Sequence, residues 1–290
     1  MVASLSLAAT VRGTAHIGEP TLVLMHFLGG SSREWDEVIP LLGDHQHTVA
    51  LDLPGFGNSA GIPGYTVAEM ADAVEATIGE LALAQYILVG HSMSGKVAAV
   101  VASRARARSD GGLVGLILIA PSPPGPEPMT DEKRSGMIGL LGERHTAAED
   151  WTRARSYVTK NERRDLAKPV EDRAVAEVLR MNRAAWVAWV ERGSREDWAQ
   201  RVGSIELPTL IVAGEKDESL GTETQRRVSL PHFRRGRLES VKNCSHLIPM
   251  EKPQELAGLM HGFVADLCSG VSGKRDVAGI SGKLDVAQVG

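Results

Sequence analysis

A doubly wound α/β fold is predicted by three features of this 290-residue chain. Short apolar runs recur along it, and helical stretches alternate with them. The runs are continuous rather than alternating in polarity, which suits strands buried on both faces of a parallel sheet. With 43% hydrophobic and 23% charged residues, the composition is that of an ordinary globular protein.

The elements follow in order. MVASLSLAATVRG lacks a basic leader region and reads as a first strand. PTLVLMH (20–26), TVALDLPG (48–55), YILVG (86–90), LVGLILIAP (113–121), PTLIVAGEKD (208–217) and GRLESV (236–241) supply further strands. Thr66-Val67-Ala68-Glu69 is a capping box, so a helix runs from there towards Leu83. Another follows Ser92 directly, with Ala98, Ala99, Val101 and Ala102 small enough to pack on a sheet.

The alternation breaks between 122 and 206. SPPGPEP (122–128) is a rigid exit from a strand where helix is disfavoured. Beyond it, Val175, Val178, Leu179, Trp186, Trp189 and Val190 mark one face at helical spacing. Residues 1–121 and 207–268 are therefore expected to form the core and 122–206 a helical cap over the sheet's C-terminal edge, where open α/β folds bind ligands. In such a cap Trp186 and Trp189 pack on the core and line the pocket. Residues 269–290 carry an imperfect repeat, SGKRDVAG and SGKLDVAQ, too poor in large apolar side chains to build a core. A flexible tail without chemistry is expected there.

Several function classes are disfavoured. A net charge of -4, with scattered Lys and Arg, leaves no nucleic-acid footprint. No apolar run approaches the roughly 20 residues of a membrane span. Cys244 and Cys268 make no disulfide framework, so a cytoplasmic protein is expected, with Cys244 a small buried thiol. His232, His261 and the pair His45 and His47 lack metal-ligand company. The expected partner is a small-molecule substrate, and monomer and homodimer both remain open.

Two chemistries claim ILVGHSMSGKVAAVVA (87–102). Gly90 to Lys96 has the G-x-x-x-x-G-K spacing of a phosphate-binding loop. That loop needs a hydroxyl after the lysine, but position 97 is valine, and the acidic strand bearing Asp52 precedes the loop instead of following it. The same residues, Gly90-His91-Ser92-Met93-Ser94, also spell a turn that lifts a serine from strand to helix. A serine nucleophile needs a base and a carboxylate to orient that base, in the chain order Ser, acid, His. Glu215-Lys216-Asp217-Glu218 follows one strand and His246 the next, so all three groups leave the same sheet edge.

These stretches resemble the α/β-hydrolase family, and nearly all of residues 1–268 takes part. Leu24 to Gly30 resembles its oxyanion segment, Asp52 to Gly57 the loop after the next strand, Ala213 to Asp217 its acid loop and Cys244 to Glu251 its histidine loop. The resemblance implies a cofactor-free, metal-free acyl transfer with Ser92 as nucleophile, His246 as base and Asp217 as acid, and an oxyanion hole from the Leu28 and Met93 backbone N–H groups. His91 and His26 then serve as packing or supporting groups, and Lys96 as an ordinary first-turn helix residue. Two departures stand out. Phe27 replaces the usual glycine after His26 and narrows the pocket floor, and Ser94 replaces the glycine that usually ends the elbow. A carboxylic ester of a small, apolar substrate is expected, with lactone, carbon–carbon and amide bonds as alternatives. A hydrolase-like ligand receptor is the non-enzyme alternative.

Overall fold

A computed structural model describes residues 6–16, 18–109, 111–162 and 166–270. Its seven strands are β1 Ala9–Arg12, β2 Thr21–Met25, β3 Thr48–Leu51, β4 Tyr86–His91, β5 Leu113–Ile119, β6 Ile205–Gly214 and β7 Phe233–Val241. They lie in the order β1-β3-β2-β4-β5-β6-β7, with β1 antiparallel to β3 and every other pairing parallel. The continuous apolar runs are explained by two-sided burial. Along β2, Leu22 and Leu24 join Trp35, Val38, Met260 and Phe263 on one face, while Val23 and Met25 join Val74, Val97 and Val101 on the other.

Helix α1 spans Val67–Glu80 and starts with the predicted box, Thr66 and Glu69 bonding reciprocally. Helix α2 spans Met93–Ala107 and packs against β4 and β5. Between β5 and β6 come α3 Asp131–Met137, α4 Ala147–Lys160, α5 Lys168–Arg180 and α6 Arg183–Glu191. Strand β6 begins at Ile205, two residues before the expected boundary at 207. Ile205 pairs with Phe233, and the register then shifts before Pro208, which masks the strand's start in the sequence.

One periodic face also divides. Residues 175–190 were expected to share a helical stripe, but α5 ends at Arg180 and α6 starts at Arg183. Met181 and Asn182 are extended between them, the Asn182 side chain accepts from Ala184 N–H, and Asn182 N–H donates to Gly55 O at 2.8 Å. A side-chain cap and a bond to the core thus outcompete helix continuation. Among the described residues no helix is long and apolar enough to cross a membrane. Most of the predicted tail, 271–290, lies outside the described residues.

Candidate active site

The serine sits where β4 becomes α2. Ser92 has φ 55° and ψ −116°, a strained left-handed conformation held by its N–H to Ile119 O and by Gly95 and Ser122 N–H groups on its own carbonyl. Crowding explains the glycines around it: a Cβ on Gly95 would lie 2.4 Å from Pro121 Cβ, and one on Gly90 2.7 Å from Ser94 O. Ser94, in place of the usual glycine, uses its hydroxyl to accept from His91 N–H at 2.9 Å and donate to Met25 O at 2.9 Å. The extra atom therefore ties the elbow to β2.

His246 follows β7 and Asp217 follows β6. The structure brings them together with Ser92: His246 Nε2 lies 2.8 Å from Ser92 Oγ, and Nδ1 lies 2.7 Å from Asp217 Oδ2. Asp217 Oδ1 accepts from Ser219 and Leu220 N–H at 2.9 and 3.0 Å. Burial alone would raise the Asp217 pKa, but the adjacent His246 and these hydrogen bonds hold it down at about 2. For His246, burial favours the neutral ring, yet Asp217 outweighs it and the pKa is raised, with Glu127 and Glu34 adding to the effect. Glu215 and Glu218, in contrast, are exposed.

Of the two expected oxyanion donors, Met93 directly follows the serine and Leu28 follows β2. Met93 opens α2, so its N–H is one of the first-turn donors without a carbonyl one turn back. The Leu28 N–H donates to no acceptor among the described residues, whereas the neighbouring Phe27 N–H is occupied by Glu34 Oε2 at 2.9 Å. His26 accepts from Leu53 N–H at Nε2, which leaves Nδ1 to donate to the Phe27 carbonyl. The Phe27 ring is 1% exposed and stacks on Tyr157 at 6.3 Å between centroids.

The two tryptophans part company. Trp186 donates to Met137 O and meets Tyr157 edge-on at 4.9 Å, and the Tyr157 hydroxyl donates to Leu28 O. Trp189 lies against Gly193 and under Lys96 Nζ, 5.7 Å from its ring centre. Lys96, expected as an ordinary first-turn helix residue, is fully buried. Its ammonium donates to the carbonyls of Gly193, Ser194 and Glu196, and burial lowers its pKa to about 8 against the pull of Glu127, Glu196 and Asp197. All three of these hydrogen-bond partners are backbone carbonyls. Asp52 likewise accepts from Ser32 and Asn58 N–H groups. Cys244 is buried, and burial followed by Glu251 pushes its thiol far up, away from the reactive thiolate.

Three neighbours escaped the sequence reading. Tyr157 bridges α4 to Leu28, Glu34 sits behind Phe27, and Glu127 accepts from Ser122 Oγ in the Pro-rich exit. Burial raises the Glu127 pKa despite Lys96 and His246 nearby. A lone carboxylate among prolines directly after a buried strand was the available signal for Glu127. No group of three or more His, Cys, Asp or Glu among the described residues could hold a metal ion.

A seven-stranded, mostly parallel sheet carrying a hydrogen-bonded Ser–His–Asp chain at its C-terminal edge defines a class of α/β enzyme. Residues 22–259 match the alpha/beta hydrolase family, and the chain belongs to it. It is similar to the 2-succinyl-6-hydroxy-2,4-cyclohexadiene-1-carboxylate synthase of Salmonella arizonae, 25% identical over 81% of this chain and 90% of that one. Monoacylglycerol lipase abhd6-A of Xenopus laevis is 24% identical over 88% of this chain and 78% of its own. Among solved structures, an esterase from Exiguobacterium antarcticum superposes with a TM-score of 0.76 at 17% identity, covering 89% of this chain and 95% of its own. A thermophilic esterase from Thermogutta terrifontis gives 0.71 at 22%, covering 90% and 93%.

Proposed function

We propose that this α/β hydrolase cleaves a carboxylic ester of a small, apolar substrate through an acyl-enzyme. The observation that carries the reading is the unbroken chain from Ser92 Oγ through His246 to Asp217, at 2.8 and 2.7 Å. His246 Nε2 takes the Ser92 proton as Oγ attacks the ester carbonyl, and the ionised Asp217 stabilises the imidazolium. The Leu28 and Met93 N–H groups hold the oxyanion, each worth roughly 3 kcal/mol in the transition state. Imidazolium returns the proton to the leaving alcohol as the carbon–oxygen bond breaks. Water, deprotonated by His246, then attacks the acyl carbon; Ser92 Oγ leaves with that proton and the acid is freed. No step needs a cofactor or a metal.

An apolar substrate is supported by the rings of Phe27, Tyr157 and Trp186 beside the oxyanion segment. The 122–206 segment serves as the cap, since α4 and α6 carry two of those rings. Lactone, carbon–carbon and amide cleavage use the same three residues, and a ligand receptor uses the pocket without turnover. Hydrolysis of p-nitrophenyl butyrate by wild type but not by Ser92→Ala, together with fluorophosphonate labelling of Ser92, tests the assignment. Binding without turnover or labelling favours the receptor, and labelling at Cys244 removes Ser92 from its role.

A further inference from the structure

Behind the site lies a second carboxylate–histidine pair that the mechanism does not use. Glu34 and His91 are 2% and 0% exposed. Glu34 Oε1 is hydrogen-bonded to His91 Nδ1, and Oε2 accepts from Phe27 N–H at 2.9 Å, one residue before Leu28. On the other side of the ring, His91 Nε2 lies 2.8 Å from the carbonyl oxygen of His246. The His91 and His246 rings stand 5.1 Å apart.

The partners fix the protons. A carbonyl only accepts, so His91 Nε2 carries a hydrogen and donates it to His246 O. The Glu34 bond then needs one further proton, carried by His91 Nδ1 or by the carboxyl group. Either way the two groups together are neutral, which is how two ionisable side chains tolerate complete burial without a lone charge. The elbow thus grips both loops that serve Ser92. Through Glu34 it holds the His26–Phe27 peptide, one unit before the one that presents the Leu28 N–H, and through Nε2–H it holds the backbone of His246.

We propose that Glu34 and His91 are positioning residues that keep the Leu28 N–H and the His246 ring in register around Ser92. The inference rests on the acyl-transfer reading above, yet neither residue touches substrate. Oxyanion donors and bases act through preset geometry, so releasing their backbone lowers the rate of chemistry more than it weakens substrate binding.

Glu34→Ala and Glu34→Gln separate positioning from mere packing. The glutamine carbonyl still accepts from Phe27 and its NH₂ donates to His91 Nδ1, so every bond survives. Glu34→Ala is expected to lower both kcat on p-nitrophenyl butyrate and the fluorophosphonate labelling rate by about 10²-fold, comparable to losing one oxyanion donor, with KM within about twofold. Glu34→Gln is expected to recover to within about fivefold of wild type. Nitrogen-15 spectra of the histidine rings in the wild-type protein should show His91 Nε2 protonated.

Glu34→Ala with wild-type kcat, Glu34→Gln as slow as Glu34→Ala, or an unprotonated His91 Nε2 overturns the proposal. If Glu34→Ala does not fold, the glutamine variant and the spectrum still decide. Wild type inert towards ester and fluorophosphonate alike defeats the hydrolase reading instead, and the His91 proton then reports on the pair independently.

Discussion

Asp217 Oδ2 lies 2.7 Å from His246 Nδ1, and the other Asp217 oxygen is anchored by the Ser219 and Leu220 N–H groups. The carboxylate therefore holds one tautomer of the ring, with the proton on Nδ1 and Nε2 free to take the Ser92 proton. Asp217→Asn should keep the fold and lower kcat by up to about 10⁴-fold. Glu215→Gln and Glu218→Gln, at exposed positions of the same loop, should leave kcat within about threefold, as expected of surface changes. Steady-state rates on an activated ester check this, and a crippled Glu218→Gln beside a mild Asp217→Asn would reassign the acid.

Activity should follow the His246 proton. In the proposed mechanism neutral imidazole is the base, and Asp217 raises its pKa above the ordinary 6.5. Accordingly kcat/KM should rise with pH through a midpoint above 6.5 and be lost as pH falls. Replacing Asp217 removes the chief cause of that rise, so the residual activity of Asp217→Asn should titrate lower. A wild-type midpoint below 6.5 contradicts the assignment.

Lys96 should make stability depend on pH in the alkaline range. Its pKa falls from 10.5 to about 8 on folding, so between those values the unfolded chain binds the extra proton. Stability then rises with pH across that window, by up to roughly 3 kcal/mol for this group. Below about 8 both states are protonated and the contribution is flat. Denaturant unfolding of wild type and Lys96→Met at several pH values isolates the effect. Parallel curves for the two proteins would show that Lys96 does not titrate there.

The tryptophans should separate by function. Trp186 reaches the oxyanion segment through Tyr157, so Trp186→Phe is expected to change relative rates across an ester series. Trp189 packs on Gly193 and Lys96, so Trp189→Phe should cost about 1–3 kcal/mol of stability and leave the ester profile unchanged. Rates on acetate to octanoate esters, with thermal unfolding, test both. A profile altered only by Trp189→Phe would reverse the roles.

Much of the fold was legible because its signals are local. Two-sided burial writes continuous apolar runs, and the Ser92 turn, the Asp217 loop and the His246 loop are each spelled within a few residues of a strand end. What crosses the fold was not legible. Tyr157 reaches Leu28 over 129 positions and Lys96 reaches Gly193 over 97, and no periodicity encodes such distances. A lysine in a first helical turn reads as solvated until the 193–196 turn is laid over it. The break at Met181–Asn182 was hidden for the same reason, since the Gly55 carbonyl that rewards it belongs to the core.

The end of α4 has a consequence for timing. The Asn161 carbonyl accepts from the N–H groups of both His246 and Leu247, at 3.0 and 3.2 Å, while Tyr157 on the same helix holds the Leu28 carbonyl. Ser92 and His246 are only 9% and 8% exposed. Were α4 to lift to admit a molecule, it would let go of the His246 loop and the Leu28 segment together. Loading and reacting would then be alternating states, and a substrate too bulky to let α4 settle back would be held beside an idle serine. Discrimination by size would appear as lost turnover rather than as lost affinity.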